Sequence, residues 1–115
     1  IKLKKFKARL GSAGIFDTKI PRIFWISVIS QDIHLLHKEI ENLISKIVPR
    51  EKKEFASHIT IARIKKFEKR QILLDYPNKI KPNQIEFEVS RFTLKKSILR
   101  PSGSEYSIIE EFTLS

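Results

Sequence analysis

The chain has 115 residues, contains no cysteine and carries a formal net charge of +10. Its length predicts one domain or a large part of one. The lack of cysteine excludes disulfides and thiolate metal sites and is typical of a cytoplasmic protein. No run of about 18 apolar residues is present, so we expect no membrane span. The excess of lysine and arginine favours a polyanionic partner, with nucleic acid ahead of an anionic membrane. The alternative is a lysine-rich, thermophile-like composition that serves solubility.

Two strands separated by a loop are predicted at the start of the chain. Residues 1–10 alternate charged and apolar side chains, which indicates a half-exposed strand with its lysines outward. Residues 11–21 contain two glycines and end at a proline, which indicates a loop. Residues 22–30 are almost continuously apolar and rich in β-branched and aromatic side chains. They predict a central strand buried on both faces.

One amphipathic helix follows the second strand. Ser30 is expected to cap it, and Asp32 lies in its first turn, where negative charge is favourable. Pro49 predicts that the helix ends near Val48. The residues that recur at helical spacing are Ile33, Leu36, Ile40, Leu43, Ile44 and Ile47. A charged connector over residues 50–55 then leads to a third strand, predicted for residues 58–64.

The rest of the chain predicts a basic, irregular segment and an antiparallel pair of strands. Residues 65–82 are predicted to be irregular, with one helical turn over residues 68–73. Residues 84–99 form the longest strand-like stretch, but the apolar positions change phase, which indicates a bulge or bend near residues 90–91. A turn at residues 100–104 returns the chain into a last strand. The order favours an α+β fold with an antiparallel sheet and one main helix.

The third predicted strand carries the residues best suited to chemistry. Successive side chains on a strand point to opposite faces, so His58 and Thr60 share one face, while Ile59 and Ile61 are expected to point into a core. An imidazole can transfer a proton and a hydroxyl can hold an oxyanion. Without further context, a half-buried structural histidine and a threonine chosen for strand propensity explain the same pattern.

Arg63 would make phosphate the natural ligand of this strand, because guanidinium groups match the geometry of phosphate oxygens. Strict alternation, however, places Arg63 on the face opposite His58. The side chain reaches the same ligand only if the strand twists or bulges near Ala62. Otherwise it is a surface arginine or a contact to an RNA backbone.

The sequence around His58 resembles the C-terminal half of the 2H phosphoesterase superfamily, in particular the 2′-5′ RNA ligases, also called RNA 2′,3′-cyclic phosphodiesterases. The resemblance covers nearly the whole chain. It rests on the run His-Ile-Thr-Ile-Ala-Arg at residues 58–63, on Pro-Arg-Ile-Phe-Trp at residues 21–25, on the spacing between them and on the hairpin at residues 97–106. It implies two lobes facing each other across a groove, each with one His-x-Thr motif.

The resemblance implies an RNA phosphoesterase that uses no metal, no ATP and no other cofactor. In this interpretation His58 and Thr60 are catalytic, and Thr60 and Arg63 bind phosphate. The substrate is RNA with a 2′,3′-cyclic phosphate end, of which tRNA fragments are one source. Opening to a 2′-phosphate is the expected reaction, and 2′-5′ ligation is the related one.

The chain departs from the family pattern because it holds only one His-x-Thr motif. We therefore expect residues 1–115 to be the C-terminal portion of one 2H domain whose N-terminal lobe is missing, to be supplied in cis or in trans. Two alternatives remain: a non-catalytic RNA-binding module, or one half of a split enzyme. In each case RNA contacts are predicted for the basic cluster, defined as Lys65, Lys66, Lys69 and Arg70.

A second histidine pattern lies on the predicted helix. His34, His37 and Glu41 are spaced i, i+3 and i+7, which could place three metal ligands on one exposed side. Such a pair of histidines on an outward face is usually without function, so no metal site is predicted. Phe16 and Phe55 lie near loops or the ends of the motif strand. Each could stack on an RNA base, but local core packing is the expected role.

Overall fold

The computed structural model describes residues 3–16, 20–50, 54–82 and 85–115, and in these residues the chain has six strands and two α-helices. The fold is α+β with antiparallel pairing and one main helix, as predicted. A short 3₁₀ helix, Tyr76–Lys79, follows the second α-helix. The elements in chain order are β1 (Phe6–Phe16), β2 (Ile23–Ile29), α1 (Gln31–Ile44), β3 (His58–Arg63), α2 (Arg70–Asp75), β4 (Glu86–Val89), β5 (Arg91–Arg100) and β6 (Gly103–Thr113).

The strands form two separate sheets. A four-stranded sheet has the order β3-β2-β1-β4, so β3 is an edge strand among the described strands. The second sheet is the β5-β6 hairpin. The chain divides into two compact units: residues 7–87 hold α1, α2 and most of the larger sheet, and residues 88–115, with the first residues of the chain, hold the hairpin.

Strand β1 begins and ends further along the chain than the sequence predicts, because residues 3–5 are not part of it and it starts at Phe6. It continues to Phe16 through the segment predicted to be a loop, and a register shift against β2 between Leu10 and Ala13 marks a β-bulge. Glycines often indicate loops, yet inside a strand they also mark bulges and close approaches. The remainder of the predicted loop includes residues 17–19, which lie outside the described residues.

Strand β2 is buried on one face rather than on both, so that part of the prediction is wrong. Phe24 and Val28 are buried, whereas Trp25 and Ser27 on the other face are only partly so. On the even-numbered face, the ring of Phe24 lies 6.0 Å from that of Tyr76 in the 3₁₀ helix. The odd-numbered face of β2, which includes Trp25 and Ser27, is the face of the candidate active site described below.

Helix α1 begins as predicted and ends early. The Ser30 hydroxyl accepts a hydrogen bond from the backbone N–H of Ile33 at 3.3 Å, which is an N-cap contact. The helix ends at Ile44 and continues as a turn to Val48, whose N–H still donates to the Ile44 carbonyl at 2.9 Å. α1 is the longest helix described, at 14 residues, and no described helix has the length and apolar character needed to cross a bilayer.

The second half of the chain agrees with the predicted positions of its turns and breaks. The predicted helical turn is present as α2, two residues further along. The predicted break near residues 90–91 is confirmed, because Ser90 separates β4 from β5 and the two strands belong to different sheets. The predicted turn is a two-residue loop at Pro101-Ser102, closed by Gly103 with φ +124°. That backbone conformation favours glycine.

Gly14 is expected to be required for stability. A Cβ at this position would overlap with the Trp25 indole, whose ring lies over the glycine. Because Trp25 is packed in the sheet, Gly14→Ala should lower the free energy of unfolding by about 1–3 kcal/mol, the usual range for overpacking. Chemical denaturation measures the difference. Ser12→Ala on the same strand is the control, expected to stay within about 0.5 kcal/mol; equal stability of the two variants would contradict the packing described.

Candidate active site

A bulge in β3 brings His58, Thr60 and Arg63 to one face of the sheet. His58 is paired with Ser27 and Thr60 with Trp25, after which the register shifts by one residue. Arg63 is then paired with Ile23. Directly opposed residues of an antiparallel pair share a face, and the three partners on β2 are all odd-numbered. The three side chains of β3 therefore leave the sheet on the same side.

The extra residue of this bulge is Ile61, which lies between Thr60 and Ala62 in the register. The sequence required a twist or bulge near Ala62 for Arg63 to join His58, and the structure contains one, one residue earlier. The expectation that Ile59 and Ile61 are core residues is wrong for the described chain. Their exposed fractions are 42% and 53%, because β3 is an edge strand and Ile61 has no partner residue on β2.

The imidazole of His58 is held in one tautomer by the backbone. Nδ1 lies 2.7 Å from the carbonyl oxygen of Ala56. A carbonyl oxygen can only accept, so Nδ1 must carry the hydrogen and donate it. In the neutral ring, Nε2 then keeps its lone pair and can accept a proton. A ring protonated at Nε2 can return that proton, so one nitrogen serves as general base or general acid.

Two aromatic rings lie on the same face beside His58. The ring centroid of Phe16 is 5.0 Å from that of His58 in an edge-to-face arrangement, and 5.2 Å from that of Trp25. Trp25 is paired with Thr60 on one side and with Gly14 on the other. The aromatic rings therefore form an apolar surface next to the imidazole, while the residues of β3 itself are exposed. A ligand has direct access to His58, Thr60 and Arg63.

The basic cluster begins directly after this strand. The backbone N–H of Ile64 donates to the Arg22 carbonyl at 2.7 Å, which extends the contact between β3 and β2 by one residue. The chain then leaves the sheet and reaches α2 at residue 70. All four members of the basic cluster are exposed. Their positive charge therefore continues from the end of the strand that carries Arg63.

The two histidines of α1 pack against the ring of Phe55. They do not converge on a position where both could bind a metal ion. His37 stacks on Phe55 with 4.0 Å between ring centroids, and His34 meets the same ring edge-on at 5.6 Å. Nε2 of His37 also lies 3.9 Å from a Glu41 carboxylate oxygen. In the described part of the chain, no group of three His, Cys, Asp or Glu side chains is arranged to hold a metal ion.

Sequence reasoning missed two features of this site. The Ala56 carbonyl lies two residues before His58, but it has no side-chain signal, because every residue carries a backbone carbonyl. The exposed face of β2 was missed because an almost continuously apolar run predicts burial on both sides. Trp25 and Ser27 do carry a signal, since a serine two positions after a tryptophan is unusual for a fully buried strand.

We expect 15N spectra to show neutral His58 with its hydrogen on Nδ1. The hydrogen bond to the Ala56 carbonyl favours that tautomer, and the 15N chemical shifts of the two ring nitrogens distinguish it from the Nε2–H form. His34 is the internal reference, because its described contact is with an aromatic ring and not with a carbonyl. A majority of the Nε2–H form at His58 would contradict the assignment.

Comparisons with known proteins identify relatives of this chain. The family model described as LigT like Phosphoesterase matches residues 26–106, more than half of the chain. An RNA 2′,3′-cyclic phosphodiesterase of Aquifex aeolicus is 35% identical over 115 residues, covering 95% of this chain and 61% of the relative. A protein of the same name from Methanocaldococcus jannaschii is 29% identical over 114 residues, covering 97% of this chain and 66% of the relative.

The fold is also found in a solved structure. The crystal structure of TT0787 of Thermus thermophilus has a TM-score of 0.78 and 25% sequence identity, and the match covers 98% of this chain and 63% of that one. The chain thus spans somewhat less than two thirds of the length of these proteins. Because the family model and the fold agree over most of its residues, the chain belongs to the LigT-like phosphoesterases of the 2H superfamily.

Proposed function

We propose that this chain supplies one of two catalytic histidines to an RNA 2′,3′-cyclic phosphodiesterase. The observation that carries the proposal is the common face of His58, Thr60 and Arg63, with Nε2 of His58 left able to accept a proton. The names of the relatives in A. aeolicus and M. jannaschii support the same reaction.

The proposed reaction needs a base and an acid on opposite sides of the phosphorus. One histidine takes a proton from water as the water oxygen attacks phosphorus, and the bond from phosphorus to O3′ breaks. The other histidine protonates O3′ as it leaves. The products are a 2′-phosphate and a 3′-hydroxyl. His58 has one of these two roles. Ring strain in the cyclic phosphate means that its opening needs no ATP, and in the proposed mechanism side chains perform the proton transfers and hold the phosphate oxygens without a metal ion.

Thr60 and Arg63 are the proposed ligands of the non-bridging oxygens. Negative charge on these oxygens increases as the fifth bond to phosphorus forms, and donors aimed at them stabilise the transition state. A hydroxyl gives one donor and a guanidinium gives a fork of several. If a 5′-hydroxyl replaces water as the attacking group, the same residues join two RNA ends by a 2′-5′ linkage.

The second histidine is proposed to come from another lobe. One imidazole cannot be both base and acid in a single in-line step, and residues 1–115 contain one His-x-Thr motif. The chain is therefore proposed to be the C-terminal portion of a 2H domain that works with an N-terminal lobe in cis or in trans. A chain that spans 61% of the A. aeolicus relative leaves length for such a lobe.

The basic cluster is proposed to bind the RNA backbone next to the reacting end, with tRNA fragments in the cytoplasm as one substrate. Its exposure and its start two residues after Arg63 support this role. The net charge of +10 also favours binding to a polyanion, by release of counterions from the RNA.

The proposed roles of His58, Thr60 and Arg63 are tested by substitution. The protein used is one completed with a lobe that carries a second His-x-Thr motif. His58→Ala should slow the opening of a 2′,3′-cyclic nucleotide by about 100- to 10,000-fold, the range for loss of a general acid or base. Thr60→Ala and Arg63→Ala should each cost about tenfold to a hundredfold, as expected for a lost hydrogen bond to a charged group.

Matched controls lie in the hairpin. Thr113→Ala removes an exposed strand threonine, and Arg91→Ala removes one positive charge that is paired with Glu111. Both should leave the rate within about twofold, since neither belongs to the proposed site. Near-normal turnover by His58→Ala would disprove the catalytic assignment. A loss in Arg91→Ala equal to that in Arg63→Ala would show that only net charge matters.

The need for a second lobe is tested with residues 1–115 alone against the completed protein. The isolated chain should open the cyclic phosphate at a rate near background, because one proton transfer has no residue to perform it. Covalent joining or addition in trans of the second lobe should restore turnover. Equal rates would refute the two-histidine mechanism. Binding of the cyclic nucleotide without turnover in either form would instead favour a phosphate-binding module.

A further inference from the structure

The residues that precede β3 are attached to the sheet and to α1 on both sides of Ala56. On one side, the backbone N–H of Val28 donates to the Ser57 carbonyl at 3.0 Å. On the other side, the Phe55 ring rests against the histidines of α1. Ala56 lies between these attachments, and its carbonyl is the acceptor for Nδ1–H of His58. The direction of that carbonyl is thus set by its two neighbours.

The attachment through Phe55 is the more specific of the two. Its ring is parallel to that of His37, with an interplanar angle of 8° and 4.0 Å between centroids, and it is nearly perpendicular to His34 at 83°. His34 and His37 lie one turn apart on the same side of α1, so both can contact the same aromatic ring. Offset or edge-to-face aromatic pairs are stabilised beyond the area that they bury.

Only one residue, Ala56, lies between Phe55 and Ser57, and its carbonyl is the group that orients His58. Phe55 precedes Ala56 in the chain, so a rotation of the Phe55 backbone moves the Phe55–Ala56 peptide and the Ala56 Cα, and the carbonyl bonded to that Cα is displaced with them. Without that acceptor, the His58 ring has no reason to keep its hydrogen on Nδ1. The Nε2–H form would then be populated, and in that form Nε2 cannot accept a proton.

We propose that Phe55, whose ring packs against His34 and His37, is a positioning residue for His58 and acts through the Ala56 carbonyl. The inference rests on the proposed function of His58, and in the proposed role Phe55 acts on the His58 ring and not on the substrate. It also assigns a structural role to His34 and His37. They support the Phe55 ring and do not act as metal ligands.

The experiment compares Phe55→Leu with Phe112→Leu. Both phenylalanines are about equally exposed, at 36% and 37%, and both stack on another ring, Phe112 on Phe92 at 4.9 Å. The two variants therefore lose the same atoms and the same kind of contact, but only one of them adjoins Ala56. Phe55→Tyr, which keeps the ring, is the conservative rescue. Far-UV circular dichroism checks that each variant is folded.

The first readout is the 15N spectrum of His58, which requires no activity. Phe55→Leu should convert a large share of neutral His58 to the Nε2–H tautomer, while Phe112→Leu and Phe55→Tyr should match the unaltered chain. An unchanged tautomer in folded Phe55→Leu overturns the proposal. If Phe55→Leu does not fold, His37→Ala takes its place, because it removes the stacked ring and leaves Phe55 itself intact. His37→Phe should then restore the Nδ1–H form.

The second readout is steady-state turnover of a cyclic nucleotide by the completed protein. Phe55→Leu should lower kcat by about tenfold or more with KM nearly unchanged, since misplacement of a reacting group impairs the chemical step. A rise in KM alone would overturn the positioning role and would point to direct contact with substrate. If the unaltered protein shows no turnover, the proposed function fails, yet the tautomer measurement still decides the role of Phe55.

Discussion

The register of β3 against β2 is the constraint on which the rest of the site depends. Side chains alternate along a strand, so residues two apart share a face and residues five apart do not. One unpaired residue, Ile61, changes that count and places Arg63 with His58 and Thr60. Bulges re-aim side chains at the edges of sheets, and β3 is an edge strand of the described sheet. A single insertion in the pairing thus assembles three functional groups.

The same pairing places the side chains of the candidate site on one face of the sheet and the buried residues of β2 on the other. The odd-numbered residues of β2 lie beside His58, Thr60 and Arg63, whereas Phe24 and Val28 are buried on the opposite side. The fully buried residues of β2 therefore lie on one side, while on the other side Trp25 packs against Phe16 and Gly14 next to the three side chains of β3. His58 is thus positioned by a neighbouring strand and remains exposed.

Backbone groups do much of the orientation at His58. A carbonyl oxygen has no protonation state and no rotamer, so its hydrogen bond to Nδ1 sets the tautomer more reliably than a side chain would. Ala56 can supply that oxygen because Ser57 is bound to β2 and Phe55 rests on α1. The helix therefore contributes to the site through a residue in a connector, although no residue of α1 is proposed to touch substrate.

Local signals in the sequence determined the order and type of most elements, though not the bounds of β1 and α1. They also determined the helix cap at Ser30, the break at Ser90 and the His-x-Thr pair, because each depends on neighbours within a few residues. The motif and its flanking runs also determined the family. The tertiary structure alone decided the face of Arg63, the single buried face of β2 and the contact from His58 to Ala56. The first two depend on which residue of one strand opposes which residue of another, and a one-residue shift in that pairing leaves the local sequence pattern unchanged. The third depends on the backbone conformation of the residues before β3, which Ser57 and Phe55 set by their contacts with β2 and α1.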